Sequence, residues 1–94
     1  MIVGVCTVEL SLPGNHSLKE KRSVIKPLLA GLRREFNVSA AEVDDHDAWQ
    51  TATLGLAIVS SAKGNVHGLL EQCVRWLERA GPWVHVTRWD IEVL

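Results

Sequence analysis

Four cations in one segment, Lys19, Arg22, Lys26 and Arg33, are spaced three, four and seven residues apart. On a helix turning 100° per residue they fall within about 60° of one another, forming a single basic stripe. A row of cations suits one chemistry above others, the neutralisation of a line of phosphates. Six of the ten lysines and arginines lie between Leu12 and Arg34 in a chain of net charge −1, so the basic character is local. Directly ahead of the stripe stand Gly14, Asn15 and His16, where the free N–H groups of a helix start favour an anion. Asn15 and His16 therefore join the stripe as candidate anion or RNA contacts. The competing reading is a solvated face whose charges pair with acidic neighbours.

Lys21 belongs to neither reading. It falls on the apolar arc of the same helix, beside Ile25 and Leu28. Full burial without a partner would cost too much, so it must snorkel past the helix end or meet a carboxylate such as Glu9 or Glu42. Asp44-Asp45-His46-Asp47 gathers metal-ligating residue types but lacks the spacing of a calcium loop and any second histidine at ligand distance. It is expected to be a solvated loop without metal. Trp49 and Gln50, which follow it, are the expected recognition residues outside the first helix. His16, His67 and His85 are scattered. Cys6 and Cys73 fall inside apolar faces without a CxxC spacing and read as reduced core thiols of a cytoplasmic protein. No serine, cysteine or histidine stands in a nucleophile setting, so neither enzyme activity nor a cofactor is expected.

The elements that must position these residues follow from periodicity. Ile2, Gly4, Cys6, Val8 and Leu10 alternate through a strand over 2–11. Ser17 and Glu20 make a capping box, and Leu18, Ile25, Leu28, Leu29, Leu32 and Phe36 continue as a helical core stripe. Pro27, mid-helix, removes the bond to the Ser23 carbonyl and predicts a kink rather than a break. Val38 to Val43 reads as a weak strand and Thr51 to Ser61 as a strong one, with Leu54, Leu56 and Ile58 on one face. Lys63-Gly64-Asn65 is expected to turn into a second helix with Val66, Leu69, Leu70, Cys73, Leu77 and Ala80 as its stripe, ended by Gly81-Pro82. Trp83 to Val93 is predicted as the last strand. In it Trp83, His85, Trp89, Ile91 and Val93 share one face, while Val84, Val86, Arg88, Asp90 and Glu92 share the other.

The order β-α-β-β-α-β is that of the ferredoxin-like α+β sandwich, a four-stranded antiparallel sheet with two helices on one face. It makes residues 1–94 a single domain. The other sheet face is left bare, and Val84 and Val86 with Val3 and Val5 would form an apolar patch there, suited to a homodimer. The apolar runs fall far short of a membrane span, and the N-terminus reads as a strand rather than a signal peptide.

The run Leu18-Lys19-Glu20-Lys21-Arg22-Ser23-Val24-Ile25-Lys26-Pro27-Leu28, followed by Phe36-Asn37-Val38-Ser39, Ala41-Glu42-Val43, Trp49-Gln50 and Leu54-Gly55, resembles the YlxP-like family of short bacterial proteins. The resemblance covers essentially the whole chain and implies the same fold. It implies no activity, because the family is a domain of unknown function. The family's genes commonly sit near those of translation initiation and ribosome maturation, which implies an RNA or ribosomal setting.

Three activities of this fold can be set against the residues. An RNA-recognition sheet stacks bases on aromatics of its first and third strands, and neither strand has one. Acylphosphatase-like chemistry needs an arginine in the first loop and an asparagine on the third strand, and both are absent. A metallochaperone needs a CxxC in the first loop, also absent. The expectation is a non-enzymatic homodimer that contacts RNA or a ribosomal particle through the first helix. The alternative is a protein–protein adaptor that uses the bare sheet and the Trp49 loop and binds no nucleic acid.

Overall fold

The computed structural model describes residues 1–61 and 63–94. Strand β1 (Ile2–Ser11) leads into helix α1 (Leu18–Glu35), then β2 (Ser39–Asp44), β3 (Thr51–Ser60), helix α2 (Lys63–Glu78) and β4 (His85–Val93). The sheet order is β2-β3-β1-β4 with every neighbour antiparallel, the ferredoxin-like arrangement. Alternation on β1 sends Gly4, Cys6, Val8 and Leu10 towards the helices. They lie opposite Ile58, Leu56, Leu54 and Ala52 of β3. Ile25, Leu28 and Leu32 of α1 and Val66, Leu70, Cys73 and Leu77 of α2 close over them in one buried core. Each such aliphatic side chain taken from water contributes roughly 1.5–3 kcal/mol.

The Ser17 hydroxyl accepts the Glu20 N–H at 3.1 Å and fixes the start of α1. The helix runs on through Pro27, which is exposed. The carbonyl it leaves without an intrahelical donor is that of exposed Ser23. Gly31 has a packing role: a Cβ there would lie 2.4 Å from Trp76 Cη2. The absent side chain lets the α2 indole lie against α1, edge-on to Phe36 at 6.5 Å between centroids.

Two features differ from the sequence reading. Helix α2 starts at Lys63 and ends at Glu78, so residues 63–65 form its first turn and Ala80 is exposed beyond its end. More consequentially, β4 begins at His85, and its register against β1 shifts between Glu9, opposite Arg88, and Leu10, opposite Val86. Thr87 is the extra residue, its hydroxyl donating to the Glu9 carbonyl at 3.1 Å. One inserted residue reverses the parity of everything before it. Val84 is therefore buried and Val86 packs on the core, so neither joins the bare-face patch. Trp83 leaves the strand altogether and is 68% exposed. The apolar part of the bare face lies instead over β2, β3 and β1, where Val43 covers Gly55 and Val3, Val5, Ala57 and Val59 continue it.

Candidate nucleic-acid interface

The amphipathic phase of α1 turns Lys21 inward, and it is 2% exposed. Its Nζ has three oxygen neighbours: it donates to the carbonyls of Asp45 at 2.6 Å and Ala48 at 2.9 Å and forms an ion pair with Glu42 Oε2 at 2.7 Å. Glu42 is thus the carboxylate partner. Lys21 is a clamp that ties α1 to the β2–β3 loop through two hydrogen bonds to backbone carbonyls and a charge contact with Glu42. Asp45 carries the left-handed backbone (φ 61°) of that loop, and its carboxylate accepts the Thr53 hydroxyl at 2.8 Å. Asp44 Oδ1 accepts the Asp45 N–H, and His46 Nε2 faces the Glu42 carbonyl at 3.2 Å. The side chains of Asp44, Asp45 and His46 thus take part in holding the loop itself.

A second set of bonds draws the β1–α1 loop to the same end of the molecule. The Gln50 amide donates to the carbonyls of Asn15 at 3.0 Å and Pro13 at 3.4 Å, and the Gln50 carbonyl accepts the Leu12 N–H at 2.8 Å. Gln50 is therefore a strut between two loops, with its amide turned to the protein. Asn15 is buried, its backbone N–H donating to Leu12, while His16 is exposed beside it. Trp83 lies against Gly14, where an added Cβ would be 3.7 Å from its Cε3. Trp49 is 53% exposed on the neighbouring loop. Two exposed indoles thus flank the start of α1, together with His16 and the first cations of the stripe.

Along the stripe, Lys19, Arg22 and Lys26 are exposed and have no hydrogen-bond or ion-pair partner among the described residues. They span about 10 Å of helix. Arg33 is different, because its guanidinium donates to the Ala40 carbonyl on the edge of β2. Three of the four predicted cations are thus without a partner among the described residues. The acidic loop sets one border: Asp47 and His46 lie across a narrow cleft from Arg22 and Leu18, so a phosphate track would run over the outward face of α1.

Sequence reasoning missed Trp83, assigned to a core-facing strand position. The Gly81-Pro82 pair just before it was the available signal, since a turn there sets where the strand can begin.

Comparison with known proteins agrees with this geometry in fold and leaves the chemistry open. Over 77 residues the chain is 32% identical to "Uncharacterized protein YlxP" of Bacillus subtilis (strain 168), spanning 82% of this chain and 84% of that protein. Among solved structures, the de novo designed protein Foldit4 superposes with a TM-score of 0.54 at 14% identity, covering 100% of this chain and 97% of its own, a likeness of fold alone. Residues 3–91 match the family described as "Protein of unknown function (DUF503)", and the chain belongs to that YlxP-like family.

Proposed function

We propose that this protein is a non-enzymatic RNA-binding module of the cytoplasm, a single domain that contacts structured RNA or a ribosomal particle through the outward face of α1. The observation that carries this is the set Lys19, Arg22 and Lys26, three exposed cations on one stripe with no partner among the described residues. A stripe that served only to pair with acidic neighbours would use them as Lys21 is used against Glu42. The flanking indoles of Trp49 and Trp83 add stacking surfaces of the kind single-stranded segments use, each worth about 1–3 kcal/mol per base. Its RNA would be held by backbone charge and stacking, with little reading of sequence.

The direct test is recovery of the tagged protein from cells with and without nuclease treatment. Wild-type protein should carry ribosomal or other structured RNA, and the Lys19→Glu, Arg22→Glu double variant should lose it. Equal RNA recovery by the double variant would end this reading.

A second reading, the adaptor, has its own observation. Val43 and Val59 are 54% and 63% exposed on the bare sheet face, and exposed apolar surface of this kind suits a protein partner. It predicts a partner retained in nuclease-treated extracts and lost in Val59→Lys. Self-association belongs with either reading.

A further inference from the structure

We infer that a second copy of this chain docks along the outer edge of β4, antiparallel to it, with Trp89 on the two-fold axis. The inference deepens the dimeric reading and rests on it, but it uses a surface other than the bare face. It begins from an asymmetry between the two edges of the sheet. On β2, the residues whose main-chain groups point outward are Ala40 and Glu42. Arg33 donates to the first carbonyl and His46 faces the second. That edge is blunted by side chains, as edges are when pairing must be prevented.

The β4 edge has no such cover. The Leu94 N–H donates to the Val3 carbonyl at 2.8 Å, which fixes the alternation of the ladder: Glu92, Asp90 and Arg88 turn their main-chain groups to β1. Those of Trp89, Ile91 and Val93 turn away from the sheet. No other segment among the described residues hydrogen-bonds to them. Trp89, opposite buried Val8 on the helix side of the sheet, still leaves 44% of its surface exposed at this rim.

Charge selects the register. Arg88, Asp90 and Glu92 lie opposite Glu9, Thr7 and Val5 and so project from the bare face. In an antiparallel self-pairing, outward-turned residues must meet outward-turned residues, which restricts the axis to a residue position. An axis at Arg88 opposes two arginines, one at Asp90 opposes two aspartates, and one at Ile91 opposes Asp90 to Glu92. An axis at Trp89 places each Arg88 opposite Asp90 of the second copy, twice, and opposes no like charges. It also sets the two indoles side by side on the other face. Arg88 already leans on Glu9 at 3.7 Å, so each arginine would stand between two carboxylates. The result is one sheet continuous through both copies.

Sedimentation and light scattering on the full chain test this. Wild type should dimerise. Arg88→Asp and Asp90→Arg should each weaken the dimer by roughly ten- to thirty-fold, since two cross-strand pairs turn repulsive at once. An equimolar mixture of the two variants should recover it, because opposite charges then face each other at both positions. That recovery also shows that neither variant is merely misfolded. Trp89→Cys should form an intermolecular disulfide on mild oxidation, as Cα atoms about 5.5 Å apart across a hydrogen-bonded pair allow. A wild type that stays monomeric at high concentration would overturn both the dimer and the edge. A wild-type dimer indifferent to both charge variants would overturn the edge alone and leave the bare face as the interface.

Discussion

Lys21 of α1 and Glu42 of β2 form a nearly buried ion pair, Nζ to Oε2 2.7 Å, at the point where the helix crosses the β2–β3 loop. Removing one member of such a pair strands the other and, here, two backbone carbonyls as well. Lys21→Met should therefore destabilise the protein by about 3 kcal/mol. Glu42→Gln, which keeps a polar neighbour for the ammonium, should cost about 1 kcal/mol. Urea denaturation measures both. Amide exchange in residues 45–50 should accelerate in the lysine variant before the rest of the fold is affected.

Gly31 and Trp76 make an opposite kind of contact, one that depends on an absent atom. Alanine for glycine inside a helix ordinarily stabilises by about 1 kcal/mol. Here the new methyl would meet a rigid indole at 2.4 Å, and overpacking of that kind costs about 1–3 kcal/mol. Gly31→Ala should thus be net destabilising in the wild type. In a Trp76→Leu background the same substitution should become neutral or stabilising. A melting-temperature comparison of the four proteins gives the sign.

Cys6 and Cys73 are free thiols in the core. Burial raises both to about 11 from 9.0, and for Cys6 the neighbouring Cys73 and Asp90 add to the effect. A thiol whose folded pKa lies above its unfolded value holds its proton in the native state while the unfolded chain releases it. The unfolded state therefore binds fewer protons between about pH 9 and 11, and stability falls as pH rises through that window. Denaturation midpoints should decline above pH 9, and less steeply in a Cys6→Ala, Cys73→Ala variant. Below pH 9 both thiols should resist alkylation unless the protein is unfolded.

Much of the fold was legible because β1, α1 and β3 each carry strong local periodicity and α1 an unambiguous cap. What escaped depends on relations between strands. The Thr87 bulge is one residue of register, invisible to alternation within β4, yet it decides that Val84 and Val86 face the core. Among the site residues, the position of Lys19, Arg22 and Lys26 on the helix surface follows from the 3.6-residue turn. The engagement of Arg33 with Ala40 and of Gln50 with Asn15 does not, since both partners are brought in by tertiary structure. Exposure is a local property here and partnership is not. The contact of Trp83 with Gly14 is likewise made by tertiary structure, whereas the Gly81-Pro82 turn before it is local.

The measurement that bears most directly on RNA binding by the α1 stripe is the salt dependence of affinity for a structured RNA, taken for wild type and for single Lys19→Ala, Arg22→Ala and Lys26→Ala variants. Three phosphate contacts predict that log K falls against log salt with a slope of about −2 to −3, and that each substitution makes it shallower by about 0.7–0.9. A wild-type slope near zero, or slopes unchanged by all three substitutions, would contradict it.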